Sequence, residues 1–144
     1  DGGGALMNQG IHTVDVLLWL FGPVSGVLGR TANRLHQIEV EDTAVATLEF
    51  ENGALGTIEA TTAAAPGFPR RLEINGTEAT IVHEEPARGA VVGDATPHRR
   101  VLEDFVRAVR SGTDPACDAR EGRRSVALID AIYRSARSGR MEKP

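Results

Sequence analysis

The chain has 144 residues, of which 41% are hydrophobic and 25% are charged, a composition that allows one folded core and excludes a disordered or fibrous protein. The formal net charge is −4 and the Lys and Arg residues are scattered, which argues against binding to nucleic acid. The single cysteine, Cys117, excludes an internal disulfide, and the lack of a signal peptide or a long apolar run predicts a cytoplasmic protein that does not enter a membrane.

The first predicted element is a helix over residues 5–21, where apolar side chains recur every three or four positions. Gly22 and Pro23 predict its end, because glycine accommodates a left-handed cap and proline cannot continue a helix. Gly10 interrupts the helical pattern, which indicates a close approach of backbone or of a ligand, and packing alone explains it equally well. The helix follows directly on Asp1 and three glycines, so we expect the chain to be part of a longer protein.

Alternating apolar and polar residues predict several strands in the middle of the chain. The clearest pair lies at 42–50 and 54–63, and the turn signal Asn52-Gly53 between them predicts a β-hairpin. The other predicted strands lie at 24–36, at 70–75 and 78–83 as a second hairpin, and near 88–92.

Two further helices are predicted over 97–111 and 118–138, each with a stripe of residues at helical spacing. The stripes consist of Leu102, Phe105, Val106 and Val109 in the first helix and of Ser125, Ile129, Ile132 and Ala136 in the second. This order of elements predicts an α+β fold, with a mostly antiparallel, open-faced sheet and helices packed on one face. The alternation does not decide which face is exposed, but an open face is a surface for self-association.

The first helix carries the richest set of chemically active side chains. Along one face it presents Asn8, His12, Asp15 and Trp19. An amide, an imidazole and a carboxylate in a row can orient a hydroxyl-bearing ligand and move a proton. In the alternative interpretation, His12 and Asp15 form local hydrogen bonds while Trp19 packs, and the spacing leaves both interpretations open.

Other sites are only weakly indicated. The four histidines do not stand at metal-ligand spacing, so no metal is expected and a metal hydrolase is a distant alternative. The three glycines at 2–4 lack the second half of a dinucleotide fingerprint, and no cofactor is expected to bind to this chain alone. Arg70 and Arg71 can bind an anion or simply begin a solvated strand, which is the favoured interpretation.

Three segments of the chain are together similar to one known family. They are residues 1–23 (DGGGALMNQGIHTVDVLLWLFGP), residues 41–81 (EDTAVATLEFENGALGTIEATTAAAPGFPRRLEINGTEATI) and residues 122–140 (GRRSVALIDAIYRSARSGR). In this order they resemble the start, the sheet hairpins and the last helix of the C-terminal domain in the glucose-fructose oxidoreductase and inositol dehydrogenase family (Gfo/Idh/MocA).

The resemblance implies that residues 1–144 form a single C-terminal domain for substrate binding and oligomerisation. It also implies a Rossmann domain, absent from this chain, that binds NAD or NADP and contributes a lysine from a Glu-Lys-Pro motif. We therefore expect an NAD(P)-dependent oxidoreductase that acts on a sugar or polyol hydroxyl, forms a homo-oligomer through the open sheet face, and is inactive as this piece alone. The alternative is a non-catalytic ligand-binding or oligomerisation module.

The resemblance also implies roles for individual residues. His12 matches the histidine of the family's Gly-Gly-Gly…His motif, which touches the reacting hydroxyl, so His12 is the expected catalytic residue. Asn8 stands where some members have aspartate and cannot accept a proton as a carboxylate does, which leaves it a substrate-binding role. Asp15 is expected to belong to the substrate-binding set with Asn8 and His12, where it fixes the His12 tautomer. The alternative is a structural role. Glu142-Lys143-Pro144 repeats the catalytic triplet after the last helix, and we interpret it as a coincidence.

Overall fold

The computed structural model describes residues 3–85 and 95–144. Its elements are a π-turn at Leu6–Gly10, α1 (Ile11–Phe21), β1 (Val24–Ala32), β2 (Thr43–Phe50), β3 (Leu55–Thr61), β4 (Arg71–Asn75), β5 (Thr80–Glu84), α2 (Thr96–Ser111) and α3 (Ala119–Ser138). This confirms the predicted order of one helix, sequential strands and two helices. The strand predicted near 88–92 falls outside the described residues.

The chain divides into two compact units. The first, Asp1–Ala64 with Ala119–Pro144, contains the π-turn, α1, the antiparallel sheet β1-β2-β3 and α3. The second, Ala65–Asp118, contains the β4-β5 sheet and α2. Both predicted hairpins are confirmed, since β2 pairs with β3 and β4 pairs with β5, each antiparallel.

The β1-β2-β3 sheet has one buried face and one exposed face. The buried face includes Ala44, Ala46, Leu48 and Phe50 of β2 and Ile58 of β3. The threonines and glutamates that alternate with them, such as the paired Thr47 and Thr57, are exposed. Helix α3 packs on the buried face through β1, and α1 packs on α3. The open-faced α+β arrangement is thus confirmed, and the exposed face is identified.

Helix α3 lies close to β1 because β1 has a glycine at the contact. A Cβ on Gly29 would lie 2.8 Å from Ile132 Cγ2 and 3.0 Å from the Ile132 carbonyl oxygen. The Gly29 N–H donates to Ser135 Oγ at 3.0 Å, and the Ser135 hydroxyl donates to the Arg140 carbonyl at 2.6 Å. Ser135 is fully buried, and these two bonds replace the ones that it loses to water on folding.

The end of the chain covers part of the outer edge of β1. Val27 and Glu142 exchange two backbone hydrogen bonds of 2.9 Å each. The Arg134 guanidinium donates to the Glu142 carboxylate at 2.7 Å and to the Lys143 carbonyl at 2.6 Å. The Glu142-Lys143-Pro144 tail therefore has a structural explanation, the protection of a sheet edge.

Asp42 organises the loop that leads into β2. Its buried carboxylate accepts hydrogen bonds from the backbone N–H groups of residues 34–36, at 2.8–2.9 Å, and from the Thr43 hydroxyl at 3.0 Å. The bonds from the N–H groups of His36 and Leu35 contribute most, and they hold the pKa of Asp42 well below its usual range although burial acts in the opposite direction.

The apolar stripe predicted for α2 is present but exposed. Leu102, Phe105, Val106 and Val109 are 45–66% exposed, whereas Ala108 is buried. Helix α2 belongs to the smaller unit, whose described part contains only one two-stranded sheet besides this helix, so that unit has little apolar surface to cover the stripe. Within residues 3–85 and 95–144, no helix has the length and apolar content needed to cross a membrane.

Gly29→Ala is expected to destabilise the chain by about 1–3 kcal/mol, because the added methyl group overpacks the contact with Ile132. Urea unfolding measures this as a lower midpoint. The matched control is Gly122→Ala in α3, where a Cβ meets no atom within 4 Å and alanine stabilises a helix by about 0.5–1 kcal/mol. Effects of equal size and sign for the two substitutions would contradict the close packing of α3 on β1.

Asp42→Asn is expected to lower the melting temperature near neutral pH and to weaken its dependence on acid. The lowered folded-state pKa means that the ionised carboxylate contributes stability fully above its unfolded pKa of about 3.9, and loses this contribution as the pH falls towards the folded-state pKa. Thermal unfolding over about pH 2–7 measures both effects. The control Glu51→Gln removes an exposed carboxyl in the β2–β3 turn and should keep the wild-type profile, and an unchanged profile in Asp42→Asn would refute the role of this carboxylate.

Candidate active site

Glu41 caps the start of the helix that carries the predicted site residues. A helix start leaves backbone N–H groups without intrahelical partners. Here the Leu6 N–H donates to Glu41 Oε1 at 2.9 Å, and the Ala5 N–H donates to the Glu41 carbonyl oxygen at 3.0 Å. A Cβ on Gly4 would overlap with the Glu41 carboxylate, so this position requires glycine because the two segments cross there.

Tyr133 of α3 completes this cap. Its hydroxyl donates to the same oxygen, Glu41 Oε1, at 3.0 Å. Burial, followed by the hydrogen bond to Glu41 and the charge of Glu41, raises the pKa of Tyr133, while the backbone N–H of Met7 acts in the opposite direction. The phenol is therefore a protonated donor at neutral pH, and it stands beside a second backbone N–H of the helix start.

Residues Leu6–Gly10 form a π-turn near the start of the helix, after one α-type bond of 2.9 Å from the Asn8 N–H to the Gly4 carbonyl, and α1 continues from Ile11. Single π-turns within helices are frequent at functional sites. A Cβ on Gly10 would lie 3.2 Å from the Ala5 carbonyl oxygen and 3.6 Å from Ala60 Cβ of β3. The contact with Ala60 is of ordinary van der Waals length, whereas the shorter one is with the backbone of the turn itself, so a side chain at position 10 would crowd the turn. The α-helical spacing inferred from residue 5 onward is corrected for Leu6–Gly10.

The predicted site residues Asn8, His12 and Trp19 are exposed on the outer face of this helix. Within the described part of the chain, the His12 ring makes no hydrogen bond, and Asn8 Oδ1 accepts a long one of 3.4 Å from Gln9 Nε2. Trp19 is 80% exposed, so its ring does not pack against the described residues of this chain. The imidazole and the amide are open to a ligand from the solvent side.

Asp15 is directed to a different partner. The buried Ser125 of α3 donates its hydroxyl to Asp15 Oδ1 at 3.0 Å. Among the described residues, the hydrogen bonds of Asp15 do not include one with His12. This geometry favours the structural interpretation of Asp15 as a link between α1 and α3, and a role in fixing the His12 tautomer stays a prediction.

The other sequence candidates are engaged elsewhere. Arg70 pairs with Glu85, and Arg71 pairs with Glu73 at 2.8 Å and with Glu84 at 3.3 Å. These ion pairs support the interpretation of the two arginines as the start of a solvated strand. Within residues 3–85 and 95–144, no three His, Cys, Asp or Glu side chains lie close enough together to hold a metal ion.

Glu41 and Tyr133 were not identified as site residues from the sequence. Glu41 lies at the end of a loop and Tyr133 lies 92 positions further on. Neither residue has a helical or strand spacing to the Asn8–His12 segment, and both lie within the segments that carry the family resemblance. Only the fold shows that they support the same helix start.

Two family models match the chain. Residues 1–82 match the GFO/IDH/MocA C-terminal domain, and residues 90–143 match the oxidoreductase family, C-terminal alpha/beta domain. D-apiose dehydrogenase of Rhizobium rhizogenes is 28% identical over 92% of this chain and 46% of its own length. Myo-inositol 2-dehydrogenase of Thermotoga maritima is 26% identical over 98% of this chain and 49% of its own length.

Solved structures agree with these matches. The WlbA dehydrogenase of Bordetella pertussis, solved with NADH and UDP-GlcNAcA, is 36% identical with a TM-score of 0.86 over 99% of this chain and 46% of its own. The WlbA dehydrogenase of Chromobacterium violaceum, also solved with NADH and UDP-GlcNAcA, is 31% identical with a TM-score of 0.83 over the same shares.

Fold and similarity together define an α+β domain of the class found at the C-terminal end of oxidoreductases. The chain belongs to the GFO/IDH/MocA family, in its C-terminal domain, because the first family model alone covers more than half of it. It spans about half the length of the curated relatives that it matches.

A double-mutant cycle tests the link through Asp15. Asp15→Ala and Ser125→Ala are expected to be coupled by about 0.5–1.5 kcal/mol in urea unfolding, because each removes the same hydrogen bond. In the control cycle Ser125→Ala is replaced by Ser138→Ala on the same helix, whose hydroxyl donates to Glu142, and the coupling should be close to zero. Independent effects of Asp15→Ala and Ser125→Ala would show that the bond contributes nothing.

Proposed function

We propose that this chain is the substrate-binding domain of an NAD(P)-dependent oxidoreductase that acts on a hydroxyl group of a sugar or polyol. The observation that carries the proposal is the exposed His12 ring, which makes no hydrogen bond within the described part of the chain, on a helix whose start is held by the buried Glu41 and the half-buried Tyr133. The family supports it, as do relatives named as dehydrogenases of D-apiose and of myo-inositol.

Proton transfer falls to His12 in this proposal. A neutral imidazole nitrogen accepts the proton of the reacting hydroxyl while the hydride leaves the same carbon, which becomes a carbonyl. The Asn8 amide both donates and accepts hydrogen bonds but does not take up a proton, so Asn8 orients a neighbouring hydroxyl. A lysine of the cofactor domain is the second candidate for the proton.

The cofactor is held by another domain in this proposal. When bound, NAD or NADP supplies the acceptor for the hydride. A dinucleotide's phosphates commonly sit on the free N–H groups of a helix start, but here the Glu41 carboxylate occupies that position at the helix with the site. Its negative charge disfavours a phosphate there, which supports the proposal that this chain alone binds no cofactor.

The open sheet face supports self-association as a further part of the proposal. Leu28 and Val45 are exposed on it among threonines and glutamates, next to their pairing partners Thr47 and Glu59. A mixed apolar and polar surface of this kind suits an interface between copies of the chain.

A cytoplasmic location belongs to the same proposal, and the exposed free thiol of Cys117 fits a reducing compartment.

A non-catalytic binding or oligomerisation module is the second candidate. The amide of Asn8, where a carboxylate would accept a proton, favours it, as does the open sheet face. The two candidates differ in one observable: the enzyme reduces NAD or NADP when supplied with a sugar or polyol, whereas the module binds a ligand or a second copy without any change in the cofactor.

His12→Ala tests the proposed function in a protein that joins this chain to its nicotinamide-binding domain. We expect turnover to fall by about 100-fold or more, because the proton acceptor is removed, while the melting temperature stays unchanged since His12 is exposed. Absorbance of the reduced nicotinamide measures turnover. The matched control is His98→Ala, an exposed histidine in α2, which should leave turnover unchanged, and full turnover in His12→Ala would reject His12 as the catalytic residue.

A further inference from the structure

A buried polar group bonds to the start of the helix that carries Asn8 and His12. Glu41 is buried, with 9% of the residue exposed. Its Oε1 atom accepts from both the Leu6 N–H and the Tyr133 hydroxyl. One oxygen thus joins the loop before β2, the start of the helix and helix α3.

This cap and strand β3 together restrain the π-turn at two points. At its start, the Leu6 N–H is bonded to Glu41, and Gly4 leaves no room for a side chain beside the carboxylate. At its end, the turn lies beside β3, where a Cβ added to Gly10 would come within 3.6 Å of Ala60 Cβ. Asn8 lies at the middle of this restrained turn and His12 lies in the α-helical turn that continues it.

Because the cap comes from distant segments, the packing of those segments fixes the orientation of the helix start. The N-cap residue, Ala5, has no side-chain hydrogen bond to the helix start, so the helix does not cap itself as a Ser or Asp there would. The positions of α3 and of the loop at Glu41 consequently determine the orientation of the first turn. A site of this kind needs its side chains held within about 0.5 Å of the productive geometry.

We propose that Glu41 and Tyr133 are positioning residues for the site formed by Asn8 and His12. They act through the backbone of the π-turn and do not touch the substrate. The expected effect on catalysis rests on the proposed function. The claim that the two side chains hold the first turn in place rests on the hydrogen bonds alone.

The test uses the protein that joins this chain to its nicotinamide-binding domain, with variants Glu41→Ala, Glu41→Gln and Tyr133→Phe. Glu41→Gln is the conservative variant, because its amide oxygen still accepts from the Leu6 N–H and the Tyr133 hydroxyl. Ser135→Ala is the matched control, since it removes a buried hydroxyl of α3 that bonds to Gly29 and Arg140 and not to the helix start.

Amide hydrogen exchange of residues 5–10 is the first measurement. We expect exchange in this segment to become about 10-fold faster or more in Glu41→Ala and faster in Tyr133→Phe, while Glu41→Gln and Ser135→Ala stay near the wild type. Unchanged exchange in both Glu41→Ala and Tyr133→Phe would overturn the proposal whether or not the protein is a dehydrogenase.

Steady-state kinetics is the second measurement. We expect kcat to fall by about 10- to 100-fold in Glu41→Ala and Tyr133→Phe with the KM for the nicotinamide unchanged, and to be largely restored in Glu41→Gln. Ser135→Ala should lower the melting temperature without this effect. A kcat that falls only in proportion to the melting temperature across all four variants would overturn the positioning role. A wild-type protein without dehydrogenase activity would contradict the proposed function, and the exchange measurement would then decide whether Glu41 and Tyr133 hold the first turn.

Discussion

The helix with the candidate site depends on a single buried carboxylate. The first N–H groups of this helix lack a local cap, since Ala5 stands where a capping side chain would be. Glu41 supplies the missing acceptors with a side-chain oxygen for Leu6 and a carbonyl oxygen for Ala5. Tyr133 satisfies the same carboxylate from α3, so a buried charge is kept hydrogen-bonded as its burial demands. The glycine at position 4 is a consequence of this crossing.

Helix α3, which carries Tyr133, is itself held in place by close packing on β1. It meets β1 at Gly29, where the absence of a side chain allows backbone contact, and Ser135 adds hydrogen bonds across the same contact. The carboxy-terminal tail then pairs with Val27 on the outer edge of β1. Polar side chains exposed on a well-packed helix suit a site that is open to a ligand from the solvent side.

Much of the fold could be predicted because its signals are local. The alternation over 42–50 separates the two sides of β2, although only the structure identifies the buried one, and Asn52-Gly53 marks the turn, where Gly53 has a φ of 85°. The π-turn at Leu6–Gly10 was not predicted, because it has no sequence spacing of its own and its first N–H group is bonded to Glu41, 35 positions further along the chain. The stripe of α2 was predicted as a pattern, but whether such a stripe is covered depends on the surface that the fold brings to it.

By itself the sequence determined the order of the elements, the two hairpins and the open-faced sheet, and it placed Asn8 and His12 on one face of the first helix. The tertiary structure alone decided that Glu41 and Tyr133 hold this helix and that Asp15 bonds to Ser125. Those contacts join residues 92 and 110 positions apart. Periodicity along a chain describes which side chains share a face, whereas partners at such separations meet only when strands and helices have packed.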